Sequence, residues 1–265
     1  MVRKFIVTIL LAVLGAASLD AELKYTMEMK QNKIENAPAA SNQMLAMMGQ
    51  QAIQQILPGG TAKMIYIVGD HGMRTEFVTA GMGVGAGTVS IMKPNGDIFM
   101  LNPTAKTYWK MSANQAAGML AQAGVNPEVK VTRTGEMTTI MGVRTEKVTM
   151  NMNIPLPIPP EALAQLPPGF PTSIQMVLDN WIAVDKYKQY AAMTVKANSI
   201  LSSFGVDGSK MDGIPMRALM RADIFGPVEI ESVITEIGEE AVAAALFEVP
   251  ADYKQVAGPG GGIGG

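Results

Sequence analysis

The stretch Glu22–Ile34, ELKYTMEMKQNKI, alternates apolar and polar side chains with a period of two. Leu23, Tyr25, Met27 and Met29 fall on one side of an extended chain, and the residues between them are charged or hydroxylated. This period is typical of a β-strand that buries one face. It predicts a sheet with one apolar face, and the rest of the chain extends that prediction.

Further β-rich runs, separated by turn sequences, follow along most of the chain. They cover 64–68, 73–78, 89–92, 98–101, 107–111, 129–139, 143–152, 174–184, 215–222 and 228–237. Glycine, proline, asparagine and aspartate stand between many of them, as in Pro94-Asn95-Gly96-Asp97. The order predicts a mostly β (α+β) fold in which a curved antiparallel sheet of roughly ten strands forms an incomplete barrel.

Apolar helical stripes at 41–57 and 185–203 are predicted to cover the concave face of this sheet. Shorter helices are predicted at 115–123 and 239–245, and a last extended piece at 247–256. The segment 154–171 contains seven prolines, which do not fit a sheet interior. It is predicted to be a loop.

Residues 1–21 have the three parts of a secretory signal peptide. Arg3 and Lys4 are basic, an apolar run follows, and small residues precede Glu22. The run is shorter than the roughly 20 residues that span a bilayer, which favours a cleaved signal over an anchor. We expect one domain over 22–256, a disordered glycine-rich tail over 257–265, no transmembrane anchor, and a periplasmic or secreted location.

The composition restricts the chemistry. A formal charge of −2 provides no basic excess, which argues against a nucleic acid partner. One histidine and no cysteine disfavour a zinc site or a histidine-based catalytic triad. Methionine, in contrast, reaches 22 residues, and its flexible, polarizable side chain makes adaptable apolar surfaces.

Three motifs invite a catalytic or nucleotide-binding interpretation. The run Gly81–Gly87 precedes a predicted strand, whereas a dinucleotide loop precedes a helix, so a hairpin loop is favoured. His71 lies in a predicted turn. Two glutamates fall on one strand face and three more lie nearby in the sequence; paired carboxylates serve glycosidases, but solvated strand-edge charge is favoured. The five are Glu229, Glu231, Glu236, Glu239 and Glu240. We expect no catalysis and no cofactor.

Several stretches resemble a family of uncharacterised secreted bacterial proteins that is itself related to the LolA/LolB lipoprotein-carrier fold. They are KPNGDIFMLNPTAKTYWKM (93–111), IMGVRTEKVTM (140–150), NWIAVD (180–185), GIPMRALM (213–220) and LFEVPADYKQV (246–256). The resemblance implies a half-barrel wrapped around helices, with an apolar cavity that holds acyl chains in the carriers. The segments 41–57 and 154–171 depart from that pattern.

These observations predict an exported periplasmic binding protein with an apolar cavity for a lipid, an acyl chain or a lipidated peptide. The expected partner is a hydrophobic small molecule or lipid, and an envelope protein is a second class of partner. The predicted cavity-lining residues are Leu23, Tyr25, Met27, Met29, Tyr66, Phe99, Leu101, Met150, Met152 and Trp181.

The same residues are compatible with two alternative functions. Met27 and Met29, and likewise Met150 and Met152, place two thioethers on one strand face, and soft thioethers select Cu(I). A methionine-based copper holder is therefore the first alternative. A ligand-free structural or stress protein of the cell envelope is the second, since the same residues could fill a solid core.

Overall fold

A computed structural model describes residues 20–32, 47, 51, 53, 54, 56–81, 83–112, 115, 118, 127–156, 158, 161, 165, 170–193, 208–223 and 227–258. Within these residues, one open sheet of 12 strands dominates the fold. The strands are β1 (Asp20–Asn32), β2 (Thr61–Gly69), β3 (Gly72–Phe77), β4 (Val89–Met92), β5 (Asp97–Asn102), β6 (Thr107–Ser112), β7 (Glu128–Ile140), β8 (Val143–Pro155), β9 (Ser173–Ala183), β10 (Pro215–Asp223), β11 (Pro227–Val242) and β12 (Lys254–Gln255).

The sheet has two arms that meet at β1. Its order is β12-β6-β5-β4-β3-β2-β1-β11-β10-β9-β8-β7. Every neighbouring pair is antiparallel except β12 and β6, which are parallel. From β2 to β6 and from β7 to β11, strands that are consecutive in the chain are neighbours in the sheet. β1 joins the two arms, because it lies between β2 and β11.

Local turn chemistry sets two of the hairpins. Met141 and Gly142 join β7 to β8 and have φ values of 51° and 75°. Positive φ at both positions belongs to the tight two-residue turn that matches strand twist, and glycine adopts it without strain. At the start of β3, a Cβ on Gly72 would lie 2.3 Å from the carbonyl oxygen of Met92, so only glycine allows this approach to β4.

The mostly β architecture predicted from the sequence is confirmed, with 12 strands in place of roughly ten. The predicted helix at 239–245 is wrong in its first part, because β11 continues to Val242 and only Ala244–Phe247 forms a short 3₁₀ turn. Pairing with β1 explains the extension, since Asp20 lies opposite Val242 and supplies the partner that the Ala-rich sequence does not reveal.

The remaining predicted segments are described only in part. Residues 47, 51, 53, 54 and 56 are helical, as are 115, 118 and 191–193, and Lys188–Tyr190 is a 3₁₀ turn. Leu57 and residues 185–187, which the same predictions included, are not helical, and Tyr187 has a φ of 65°. The rest of the predicted helices at 41–57, 115–123 and 185–203 lies outside the described residues. So do most of 154–171, all of 1–19, and 259–265. Among the residues that are described, no helix has the length and apolarity needed to cross a membrane.

Candidate functional site

The strand register assigns every side chain to one of the two sheet faces, because directly opposed residues of neighbouring strands point to the same side. Leu23 lies opposite Val68, and Tyr25 lies opposite Tyr66. Followed across the sheet, the face that carries Leu23 also carries 12 buried or half-buried methionines and the exposed Met137, and we call it the methionine face. The 12 are Met27, Met29, Met64, Met73, Met92, Met100, Met111, Met150, Met152, Met176, Met216 and Met220.

The methionines of this face are buried to different degrees. Four are buried, namely Met64, Met92, Met150 and Met216. Eight more are half-buried, so much of the face keeps some access to solvent. Three pairs are directly opposed across strands: Met27 with Met64, Met73 with Met92, and Met152 with Met176. The face can therefore change shape by rotamer motion without loss of apolar character.

Non-strand segments pack on the methionine face at two places. Ile53 and Leu57 are buried against Ala62, Val228 and Ile230. Elsewhere, the segment that follows β9 contributes Tyr187, Tyr190 and Met193, and Ile214 precedes β10; all four are buried in one cluster with Leu23 and Met216. These contacts show that the face is partly covered by segments that connect the strands.

A tyrosine pair lies near the middle of the sheet. The rings of Tyr25 and Tyr66 stack with centroids 4.8 Å apart and planes 12° from parallel. The Tyr66 hydroxyl donates to Met64 Sδ at 3.4 Å. Burial raises the pKa of Tyr66 to about 12. Burial, together with repulsion from Tyr66, raises the pKa of Tyr25 well above its ordinary value. Both rings are therefore neutral at physiological pH and leave this part of the face uncharged.

One amide interrupts the apolar pattern of β9 on the same face. Asn180 lies between Val148 of β8 and Ala218 of β10, and Ala218 lies opposite Ser232 of β11. Asn180 is 5% exposed. Its Nδ2 atom has no hydrogen-bond acceptor within the described part of the chain. We call Asn180, Ala218 and Ser232 the notch, because the latter two are small and only half-buried.

The opposite face of β8–β11 is charged. Arg221 donates to Asp179 Oδ2 at 3.0 Å and to Glu229 at 3.2 Å. The Thr149 hydroxyl donates to Asp179 Oδ1 at 2.6 Å, and Lys147 Nζ lies 3.6 Å from Oδ2. Burial opposes ionisation of Asp179, but these hydrogen bonds and cations outweigh it and lower its pKa below the usual value.

Trp181 belongs to this charged face. The Arg217 guanidinium lies 4.7 Å from the ring centroid, and Lys147 Nζ lies 5.6 Å from it. Arg217 also pairs with Glu231 at 2.8 Å. Trp181 is 8% exposed, and its ring holds the two cations through cation–π contacts.

The opposite face of β2–β6 contains an apolar cluster that the C-terminal segment covers. Phe247 is fully buried in a cluster with Ile67, Ile91 and Leu101. After Phe247 the chain continues to β12, which pairs with β6 at the sheet edge. The apolar residues on this side of the arm are therefore occupied by the chain's own C-terminus.

The ten residues predicted to line one cavity divide between the two faces. Seven lie on the methionine face: Leu23, Tyr25, Met27, Met29, Tyr66, Met150 and Met152. Phe99 and Leu101 lie on the opposite face beneath the C-terminal segment, and Trp181 lies on the charged face. Each of these three is next in sequence to a residue of the methionine face, namely Ile98, Met100 or Ile182. Because side chains alternate along a strand, the three point to the opposite side from the other seven.

Sequence reasoning missed Asn180. The signal was present, because the alternating residues Ile174, Met176, Leu178, Asn180 and Ile182 contain a single polar side chain in an apolar series. An amide at such a position requires an explanation, since buried polar side chains nearly always have partners.

The five glutamates on β11 all have partners. Glu229 accepts from Asn32 and Arg221, and Glu231 pairs with Lys30 and Arg217. Thr26 donates to Glu236, Tyr190 and Gln189 donate to Glu239, and Lys24 pairs with Glu240. Four of the five therefore join β11 to a neighbouring strand, and Glu239 joins it to the turn at Lys188–Tyr190.

The two remaining motifs occupy turns. The His71 ring lies edge-on to Phe247, with centroids 5.9 Å apart. The Gly81–Gly87 run contains a single bridge from Gly81 to Val84, and β4 follows it directly. A strand after the run agrees with the predicted hairpin loop. Within the described residues, no group of three or more histidine, cysteine or acidic side chains is arranged to hold a metal ion.

A cavity of about 270 Å³ opens at the ends of β7, β8 and β9. Val129, Met152 and Met176 line it from the methionine face, together with polar residues such as Asn151 and Gln175. Here, methionines of the methionine face border a defined hollow.

Comparison with known proteins provides a family match without a function. The family described as "Domain of unknown function (DUF4412)" matches residues 47–153, which is less than half of the chain. No curated protein matches the sequence. The match confirms a link to an uncharacterised family, and the segments 93–111 and 140–150 lie inside the matched region. It does not connect the chain to the LolA/LolB fold.

Proposed function

We propose that this protein is an exported binding protein that holds an acyl chain or another lipid-like apolar ligand on its methionine face. The observation that carries the proposal is the concentration of 12 buried or half-buried methionines on one face of the sheet, eight of them half-buried. Flexible thioether side chains suit ligands of variable shape. A face meant only as a solid core gains more from branched residues with few rotamers.

The proposal includes a carrier-like half-barrel. An open sheet with connecting segments packed on one face has the features that such a cavity needs, and the neutral tyrosine pair adds an uncharged wall. Export to the periplasm rests on the three-part pattern of residues 1–21. Intact-mass measurement of the secreted protein tests export, and we expect a mature N-terminus between Ser18 and Glu22; retention of Met1 would contradict it.

A fluorescence titration tests the binding function. The wild-type protein is titrated with a fluorescent long-chain fatty acid, and we expect saturable binding at micromolar concentration. Met29→Gln keeps the side-chain length but adds an amide on the methionine face, and should weaken binding about tenfold, or ~1.4 kcal/mol. Glu28→Gln, on the adjacent exposed position of the other face, is the matched control and should bind normally.

The same titration can refute the proposal. If the wild-type protein binds no apolar probe, the methionine face is a core and not a ligand site. If Met29→Gln and Glu28→Gln weaken binding equally, the probe lies elsewhere on the surface.

Copper binding is the second candidate, favoured by the three cross-strand methionine pairs. Opposed residues of antiparallel strands have Cβ atoms about 5 Å apart, which lets two thioethers reach one ion. Titration with Cu(I) under reducing conditions distinguishes it from the first. A stoichiometric, methionine-dependent complex in a protein that binds no fatty acid would favour the copper function.

A further inference from the structure

We infer that Asn180 forms the polar end of the acyl site and donates from Nδ2 to an uncharged carbonyl oxygen of the ligand, as in an ester-linked or amide-linked acyl group. This inference rests on the proposed function, which it deepens by naming the ligand's linkage chemistry. It starts from a buried amide that points into an apolar face without an acceptor among the described residues.

The notch places small side chains beside Asn180. Ala218 and Ser232 lie beside Asn180 in one row across β9, β10 and β11, and both are half-buried. The flanking rows carry larger side chains, with Met220 and Ile230 on one side and Met216 and Ile234 on the other. A carbonyl group can therefore approach Asn180 over small side chains while its alkyl chain lies along the methionines.

The buried amide donor of Asn180 lacks an acceptor among the described residues. A buried donor without an acceptor destabilises a fold, whereas a leucine of similar shape at the same position does not. Asn180 has apolar neighbours in both adjacent strands, Val148 and Ala218. A ligand carbonyl supplies the missing acceptor, so the donor's desolvation is compensated in the bound state.

The charges of this face select an uncharged ligand group. On β7–β11, the arm that contains Asn180, the methionine face carries two cations, Arg133 and Arg144. Arg133 pairs with Glu146 at 3.0 Å and Asp212 at 2.9 Å, and Arg144 pairs with Asp185 at 3.3 Å. Both cations already have an anion, so the described strands of this arm offer no unpaired positive charge on that face to a free carboxylate.

The experiment compares three pyrene-labelled probes of equal chain length: a fatty acid, its methyl ester and the alkane. We expect the wild-type protein to prefer the ester over both others. Asn180→Leu should weaken ester binding about fivefold, the range of one net hydrogen bond, and leave alkane binding unchanged. Asn32→Leu, the same substitution at the end of β1 on the face opposite to Met29, is the control and should bind all three probes normally.

The outcomes separate the inference from the function on which it rests. Equal loss of ester and alkane binding in Asn180→Leu overturns the role of the amide and leaves the binding function intact. A wild-type preference for the free acid also overturns it. Absence of binding for all three probes overturns both proposals. A thermal melt of Asn180→Leu, expected to match or exceed the wild type, shows that the variant is folded.

Discussion

The two faces of β8–β11 are built from alternate residues of the same strands and differ in how they are held. On one face, Met150, Leu178 and Met220 make apolar contacts that do not depend on direction. On the other, Asp179 and Arg221 form directional hydrogen bonds and ion pairs. A slip of one residue would exchange the two sets and place the charges among the methionines. The charged face therefore fixes the register, which leaves the methionine face free to adapt.

The arm β2–β6 sharpens this comparison, because both of its faces contain buried apolar residues and one apolar cluster is covered by the C-terminal segment. Phe247→Ala should remove about 4 kcal/mol from the free energy of unfolding, as expected for a large aromatic residue truncated in a core. Leu246→Ala, at the neighbouring position that is 40% exposed, should change it by less than about 0.5 kcal/mol. Urea unfolding measures both, and equal effects would show that the segment does not pack on this arm.

The next prediction compares adjacent residues of β2 that face opposite sides. Met64 is 1% exposed, whereas its neighbour Lys63 is half-buried and pairs with Glu28 at 3.3 Å. Met64→Gln should destabilise the protein by about 2–3 kcal/mol, because it buries an amide among apolar side chains. Lys63→Gln should cost about 0.5 kcal/mol, the worth of a surface ion pair. Similar losses from the two variants would contradict the assignment of the faces.

The charged face can be tested through pH. The pKa of Asp179 is lowered in the folded protein, so its stabilising contribution is present above the unfolded-state pKa. That contribution is lost as the pH falls through the folded-state pKa. Asp179→Asn should cost about 2 kcal/mol at pH 7, the worth of hydrogen bonds to a charged group. The difference from the wild type should shrink below about pH 4.

Asp70→Asn is the control for this measurement, because Asp70 lies exposed in the β2–β3 turn. Its free energy of unfolding should stay within about 0.5 kcal/mol of the wild type from neutral to acid pH. A constant difference between Asp179→Asn and the wild type at every pH would mean that the ionised carboxylate is not what stabilises the charged face.

The sequence predicted well where polar and apolar residues alternate along a strand. It predicted less well which face of the sheet each residue occupies. On β1 the polar residues between Leu23 and Met29 make the apolar side unambiguous. On β5, Ile98, Phe99, Met100 and Leu101 are all apolar, because each face of that arm is covered. No local pattern separates the two faces there. The strand register decides it, because it carries the face assignment from β1 through β2, β3 and β4 to β5.

Two other features depend on long-range pairing. β11 extends to Val242 because β1 lies beside it, which Ala-rich sequence alone predicts as helix. Register shifts occur at Thr26/Met27 and between Arg133 and Met137, and the alternation of each strand does not reveal them. Asn180, in contrast, was readable from the apolar series on β9 once that series was assigned to a buried face.

The smallest expected effect comes from replacing methionine by leucine on the methionine face, which tests whether methionine itself is needed there. In the double variant Met150→Leu/Met152→Leu the volume is nearly conserved, so the free energy of unfolding should change by less than about 1.5 kcal/mol. Met150 is buried and Met152 borders the 270 Å³ cavity opposite Met176, so the variant alters both the core and the cavity wall. Leucine has fewer rotamers than methionine, and the wall should fit fewer ligands. Fatty acids of different chain length should therefore bind the variant with a wider spread of affinities than they bind the wild type. An unchanged spread would mean that the methionines act only as apolar filling. Copper gives the opposite pattern, since loss of two thioethers should abolish a stoichiometric Cu(I) complex while fatty acid binding stays as it was.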